Sequence, residues 1–446
     1  MNDNCIDPAE AAAKFSDYCD EIESFLNDSF SKEKHWTEAI KYILNGGAIS
    51  ALQRLVPLSV RKRAGMFFTN TEIAHKVASR ISSLLQEGVD ISDPACGAGN
   101  LLVACSQYLP VCSSFETTVQ NWSDLIKGSD LFPEFIRAAR LRLIIAAANR
   151  HRGENINLSE FNSERLFNNL KVGNAFSITS VPSKCKVVNP PFGYMTAPGD
   201  CTWGHGKIQI AGWFMEKLLH NATTGQHLVA VLPDVLNSGS RYKRWRDVIC
   251  GLASIIDIEQ IGRFDLETDV DVFIIHLIAG NNYGPIKWPN DLPETNQPTT
   301  ISDYFDIHVG TIVPHRDILQ GKSYPYIHAR TAIPWQTLES ISETRQTDHK
   351  VFRPPFVVVH RTSSPSDKHR CVGTIINEST EVAVENHLIV LSPKDDSLKI
   401  CRQLLESLRC PETDEWINRR IRCRHLTVSA LNELPYYRLK SKGDQT

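Results

Sequence analysis

Val89-Asp90-Ile91-Ser92-Asp93-Pro94-Ala95-Cys96-Gly97-Ala98-Gly99-Asn100 is the stretch that decides how this chain folds. Its first five residues predict a strand, and the apolar residues from Leu101 to Cys105 predict the start of a helix. The turn between them holds Gly97 and Gly99. Glycine lets a backbone approach a ligand with no Cβ in the way. Open α/β sheets take their ligands at the carboxyl ends of parallel strands. An ordinary strand–turn–helix connection also uses glycine, so the turn alone leaves both readings open. It lacks the GxGxxG spacing and the Lys-Ser/Thr pair of phosphate loops, which disfavours a nucleotide phosphate as ligand.

Outward from this turn, short apolar runs alternate with helical stretches through residues 61–290. That pattern predicts an α/β domain with a mostly parallel sheet. The clearest strands fall at 89–93, 187–189, 227–232, 255–260 and 272–279, and the clearest helix at 133–149. Residues 1–60 predict an N-terminal helical region. Apolar residues recur there at helical spacing through Phe15, Cys19, Ile22 and Phe25-Leu26, then Trp36, Ile40, Ile43 and Leu44, and Gly46-Gly47 ends the run. Residues 281–300, rich in Pro, Asn and Thr, read as a linker. In 301–446, β-like runs at 356–360, 372–376 and 387–391 precede helical segments at 398–408 and 415–421, an α+β pattern.

The 446 residues are 42% hydrophobic, enough for a sizeable core, and carry a formal net charge of -3. That balance argues against attraction of the whole protein to a polyanion but leaves local basic surfaces open. No run of about 18 apolar residues exists, so no membrane span is expected. The acidic start Met1-Asn2-Asp3-Asn4 lacks the apolar core of a signal peptide. Twelve cysteines without a CxxC pair predict reduced thiols and a cytoplasmic location. Cys401, Cys410, Cys423 and His425 fit no standard zinc spacing, and no metal is expected.

A second motif, Asn189-Pro190-Pro191-Phe192, leaves the apolar run Val187-Val188. It suits a tight exit from a strand. It also suits methylation of an exocyclic base amine. Such an amine is a poor nucleophile, because its lone pair is delocalised into the ring. Two acceptors aimed at its N–H bonds would draw the pair out. Asn189 offers a side-chain carbonyl, Pro190 a backbone carbonyl held by rigid neighbours, and Phe192 a ring for an extruded base. The Pro-Cys dipeptide of cytosine-C5 chemistry is absent.

Upstream, Gly65-Met66-Phe67-Phe68-Thr69-Asn70-Thr71-Glu72-Ile73-Ala74 resembles the aromatic-Thr-Pro segment ahead of the glycine-rich turn in amino-methyltransferases. With the order of the other motifs, the chain resembles the N6-adenine DNA methyltransferases of γ-class motif order, found in type I, type IIG and many type II restriction-modification systems. The resemblance implies a class I S-adenosylmethionine-dependent methyltransferase fold, Rossmann-like with a mostly parallel sheet, over 61–290. It also implies a target-recognition domain over 301–446 and S-adenosyl-L-methionine as cofactor. Phe67, Phe68 and Thr69 would cap the methionine end. Asn70 stands where the family has proline, and can cap the following helix instead. The turn Asp93, Pro94, Ala95, Cys96, Gly97 and Gly99 would border the cofactor. Asp130, after Lys127-Gly128-Ser129, would hold the ribose hydroxyls, or else simply cap a helix. The interval from Asp93 to Asp130 calls for an extra helix near 115–122. Asn174, Ala175 and Phe176 would meet the adenine, with a plain core role for Phe176 as the alternative. Asn189, Pro190, Pro191 and Phe192 would be catalytic, with Asn189 also bordering the cofactor. Phe192 and Phe264 would stack on the target base, although Phe273 lies near. Trp203-Gly204-His205-Gly206-Lys207 would form a mobile loop over the site.

Double-stranded DNA is the implied substrate, with a restriction endonuclease or specificity subunit as protein partner and no membrane. Arg241, Lys243, Arg244 and Arg246, around Tyr242 and Trp245, form the densest basic and aromatic cluster. Arg61-Lys62-Arg63, 361–370 with Arg361 at its head, and 419–425 are others. A cytosine-N4 enzyme would share the mechanism, although Ser commonly replaces Asn there, and two further readings share parts of the pattern. Asn-Pro-Pro-aromatic also serves RNA and protein-glutamine methyltransferases, and a non-catalytic DNA-binding subunit could keep the fold.

Overall fold

The computed structural model describes residues 6–27, 33–152, 156, 165–176, 183–265, 267–268, 270–280, 288, 299–363, 367–420 and 426–437. Most of the expected linker at 281–300 and most of the basic run at 419–425 lie outside them. Two compact units emerge: residues 1–236 with 244–288, and 237–243 with 289–446.

The first unit is built on seven strands in the order β3-β2-β1-β4-β7-β9-β8. These are β1 (Ile91–Asp93), β2 (Ile126–Asp130), β3 (Leu170–Val172), β4 (Cys185–Val188), β7 (His227–Pro233), β8 (Ala253–Arg263) and β9 (Asp271–Ala279). The first five run parallel, and β9 pairs antiparallel with both β7 and β8. A hairpin of β5 (Tyr194–Thr196) and β6 (Lys207–Gln209) stands between β4 and β7. The sheet order reverses at β1 and β4, so their carboxyl ends open a crevice. The extra helix expected after β1 is Phe115–Leu125, and a long helix, Pro133–Arg150, follows β2.

The described residues of 6–27 and 33–64 fold as short helices within this unit, not apart from it. Gly46-Gly47 interrupts the run without ending it: Gly46 takes a φ of +117° and the helix Ala48–Leu55 starts directly after. Phe15, Tyr18, Cys19 and Ile22 are buried against Phe135, Ala138, Leu141 and Ile145 of the long helix. Phe15 lies edge-on to Phe68 at 5.8 Å and to Phe135 at 5.1 Å.

Arg142, on the same long helix, is fully buried. Its guanidinium donates to the carbonyls of Ile43, Leu44 and Ala98 and to Oδ1 of Asn100. One side chain thus joins the N-terminal helices to the glycine-rich turn. Burial holds its pKa below the ordinary arginine value.

The second unit carries a five-stranded sheet ordered β10-β17-β14-β15-β12 and a three-stranded one ordered β13-β11-β16. Its strands are β10 (Phe305–Val309), β11 (Lys322–Ile327), β12 (Thr337–Leu338), β13 (Thr344–Thr347), β14 (Phe356–His360), β15 (Gly373–Ile376), β16 (Ala383–Val384) and β17 (Leu388–Pro393). Alternation sorts β14 and β17 by face. Val357, Val359, Ile389 and Leu391 pack with the helix Leu398–Leu408, and Val358 and Val390 join Val382 and Val384 in a second core. Arg370 is wholly buried here, its Nε donating to Ser363 at 3.0 Å and its backbone N–H to Asp414. Among the described residues no helix is long and apolar enough to cross a membrane, and no cluster of His, Cys, Asp and Glu could hold a metal.

Candidate active site

The site is assembled at the carboxyl ends of β1, β2 and β4. After β1, Gly97 takes φ +51° and Gly99 φ +78°. A Cβ on Gly97 would stand 2.6 Å from the Phe68 ring, and one on Gly99 would stand 2.9 Å from Cβ of Ala139. Both glycines are therefore required, for different reasons. Gly97 lets the turn close on the aromatic segment, while Gly99 lets the long helix pack behind it. The Gly97 N–H donates to Oδ2 of Asp130 at 2.9 Å, and the Phe132 N–H to its Oδ1 at 3.1 Å. Asp130 thus braces the turn from the end of β2, and its carboxylate keeps acceptor capacity for a further donor. Burial pushes its pKa up to about 6, against those N–H bonds.

Asp93 ends β1 and is 1% exposed, accepting from the Ala95 N–H at 3.0 Å. Burial pushes its pKa up to about 8, with the Ala95 bond opposing and Asp130 adding to the rise. The folded state therefore holds this proton more tightly than the unfolded chain, whose value is 3.8. Stability from this group is full below the unfolded value and is lost as pH rises through the folded one. Melting temperature should fall between pH 5 and pH 8, and Asp93→Asn should flatten that slope. Melting curves across the range test this, and an unchanged slope in the variant would refute it.

A cavity of about 510 Å³ opens in front of the turn. Phe67, Phe68, Pro94, Ala95, Gly97, Asp130, Asn174, Ala175, Phe176, Asn189 and Pro191 line it, so most of the residues expected from sequence do meet. A smaller cavity sharing several of these residues is bordered by Thr69, Asp93 and Cys96. Thr69 contributes its carbonyl, which accepts from Asn100 at 2.7 Å. Asn70 caps the helix Thr71–Ser79, its Oδ1 accepting from the Ile73 N–H at 2.9 Å, as the sequence predicts for an Asn in the proline position.

Asn189 follows β4 at the cavity wall. Its Nδ2 donates to the Phe67 carbonyl at 3.2 Å, which orients the amide, and its Oδ1 is buried without a hydrogen-bond partner. Pro190 is buried, and Pro191 packs against Gly65, where a Cβ would stand 2.7 Å away. The segment Gly65–Thr69 therefore supports both motifs at once.

Several expectations need correction. Gly99 borders neither cavity; its role is packing. Phe264 is 1% exposed and lies edge-on to Phe192 at 5.3 Å, so it backs Phe192 within the core and offers no face to a base. The Trp203–Lys207 stretch is anchored: Trp203 is buried, its Nε1 donating to Glu216 at 2.8 Å, and Lys207 opens β6. Of the basic cluster, Arg241, Lys243 and Arg244 are exposed, but Arg246 is buried and its Nη1 donates to the Leu236 carbonyl at 3.1 Å. Arg61 is buried in an ion pair with Glu267 at 2.6 Å. Arg361 is half-buried, its Nη1 3.5 Å from the Asn386 carbonyl. Sequence reasoning assigned no site role to Met66, Leu131, Met195, Ile210, Trp213 and Phe214, which also line the cavity. They are ordinary apolar residues with no motif to mark them.

The strand order with its antiparallel β9, and a ligand-sized cavity at the switch point, define a class I methyltransferase fold. Residues 54–248 match the family model described as N-6 DNA Methylase. No curated protein matches it in sequence. In structure it resembles the type IIL restriction-modification enzyme MmeI in complex with DNA, at TM-score 0.57 and 11% identity, over 87% of this chain and 70% of that one. It aligns more loosely with the type IIG restriction endonuclease BpuSI, at TM-score 0.45 and 13% identity over 87% of this chain and 61% of that one. For the M protein of the type I enzyme EcoKI the values are TM-score 0.34, 14% identity, and 61% and 60% of the two chains. The chain thus spans about three-fifths of the length of these last two proteins.

Proposed function

We propose that this chain is a site-specific DNA methyltransferase that moves a methyl group from S-adenosylmethionine to the N6 amine of a flipped adenine, as the modification enzyme of a restriction-modification or related defence system. One observation carries the reading. The Asn189 amide is fixed by its donor side to the Phe67 carbonyl, and its acceptor side is left buried and unpartnered at the cavity wall. A buried acceptor without a donor is costly, and the natural completion is an N–H supplied by the substrate.

The residues fit the cofactor. Gly97 clears the turn, the Asp130 carboxylate at the cavity wall suits a ribose hydroxyl, and Phe176 with Asn174 offers a wall to a purine. When bound, the cofactor supplies an electrophilic methyl. Asn189 Oδ1 and the Pro190 carbonyl would accept the two N–H bonds of the amine and draw its lone pair out of the ring. Phe192, backed by Phe264, would hold the base in line, so that alignment lowers the barrier. DNA would be held through the second unit, where Arg316, Lys322 and Lys350 are exposed cations. A partner endonuclease or specificity subunit belongs to the same proposal.

The test is methyl transfer from tritiated S-adenosylmethionine to mixed genomic DNA, with nucleoside analysis of the product. N6-methyladenine is the expected product. Label in RNA or protein and none in DNA would overturn the reading.

A further inference from the structure

One polar atom in the cavity wall has no task in the chemistry above. Trp213 lies on the helix Ile210–His220 and lines the cavity, and its Nε1 is buried without a hydrogen-bond partner. Its neighbours are satisfied: Trp203 Nε1 donates to Glu216 on the same helix at 2.8 Å, and Trp245 Nε1 to the Gly212 carbonyl at 2.9 Å. The orphan is thus particular to Trp213. A buried N–H without an acceptor is rare in native proteins and calls for an explanation.

The surroundings indicate what would complete it. The Trp213 ring meets the Phe176 ring edge-on at 5.2 Å, and Phe176 in turn meets Phe214 at 4.7 Å. The Lys217 ammonium stands over the Trp213 ring at 5.5 Å and is itself tied to Asp200 at 2.8 Å, which fixes the indole from outside. An indole N–H only donates, so its partner must accept. Phe176 and Asn174 border the part of the cavity assigned above to the purine, whose ring nitrogens are acceptors.

We propose that Trp213 Nε1 donates a hydrogen bond to a ring nitrogen of the cofactor's purine, making Trp213 a specificity-determining residue for the adenine end. The proposal rests on S-adenosylmethionine being the cofactor. Calorimetric titration of the full chain with S-adenosylhomocysteine, and with its 1-deaza, 3-deaza and 7-deaza analogues, tests it. Trp213→Phe keeps the ring and removes the donor, and should bind S-adenosylhomocysteine about tenfold more weakly, as for loss of one buried hydrogen bond. One deaza analogue should lose the same factor on the unaltered protein and lose nothing more on the variant, because the same bond is removed from either side. Equal binding by all three analogues and the parent on the unaltered protein would overturn the proposal, even if the variant failed to fold. Unchanged affinity in a folded variant would do the same. No binding of S-adenosylhomocysteine to the unaltered protein would instead remove the cofactor reading itself.

Discussion

Asn189→Ala should lower methyl transfer at least about 10²–10³-fold, the loss seen when one preorganised group aimed at developing charge is deleted. In the proposed reaction the unpartnered Oδ1 is the atom that would receive the amine, and no other buried unpartnered side-chain acceptor lines the cavity among the described residues. Cofactor affinity should change far less, since Gly97, Asp130 and Phe176 remain. Asn189→Asp separates the two halves of the amide. It keeps an acceptor but loses the bond to the Phe67 carbonyl, and places a charge in a buried wall. Its activity should fall between those of the unaltered protein and the alanine variant. Single-turnover transfer to DNA, beside calorimetric binding of S-adenosylhomocysteine, reads both quantities. A full transfer rate in the alanine variant would remove Asn189 from the chemistry.

Arg142→Met should cost about 3 kcal/mol of stability, since each buried acceptor left unpaired costs about 1–3 kcal/mol and some will relax. The carbonyls of Ile43, Leu44 and Ala98 and the Asn100 side chain all lose a donor. Because Ala98 lies within the glycine-rich turn, cofactor affinity should fall as well. Arg142→Lys keeps a charge but not the planar fork, and one ammonium cannot reach acceptors spread so widely. It should recover only part of the loss. Urea denaturation with and without S-adenosylhomocysteine measures both effects, and a methionine variant within about 0.5 kcal/mol of the parent, the range of an ordinary surface change, would refute the account.

Much of the site was legible because its chemistry is local in sequence. The turn at 93–99, the segment at 67–69 and Asn189 each sit at a strand end or helix start, where backbone geometry restricts the residue type. What was missed is non-local. Nothing near Arg61 announces Glu267, and nothing near Trp203 announces that Glu216 will pin it. Arg246 is different, for a signal was present. On the helix Lys243–Leu252 it shares a face with Trp245, Ile249 and Cys250, and all four are buried. Reading 241–246 as one basic block hid that periodicity. Phe264 shows a third limit: an aromatic ahead of a strand looks alike whether it faces a ligand or a core.

The N-terminal helices bear on how the protein could be cut down. The family match begins at residue 54, yet one ring that backs Phe68 and two of the carbonyls that hold Arg142 come from residues 15 and 43–44. A fragment trimmed to the matched boundaries would lay bare Phe135, Leu141 and Ile145 and would leave a guanidinium facing solvent where a wall had been. The shortest piece that carries the chemistry and the shortest piece that folds are then different lengths of chain, and only the longer one could be grafted onto another recognition module.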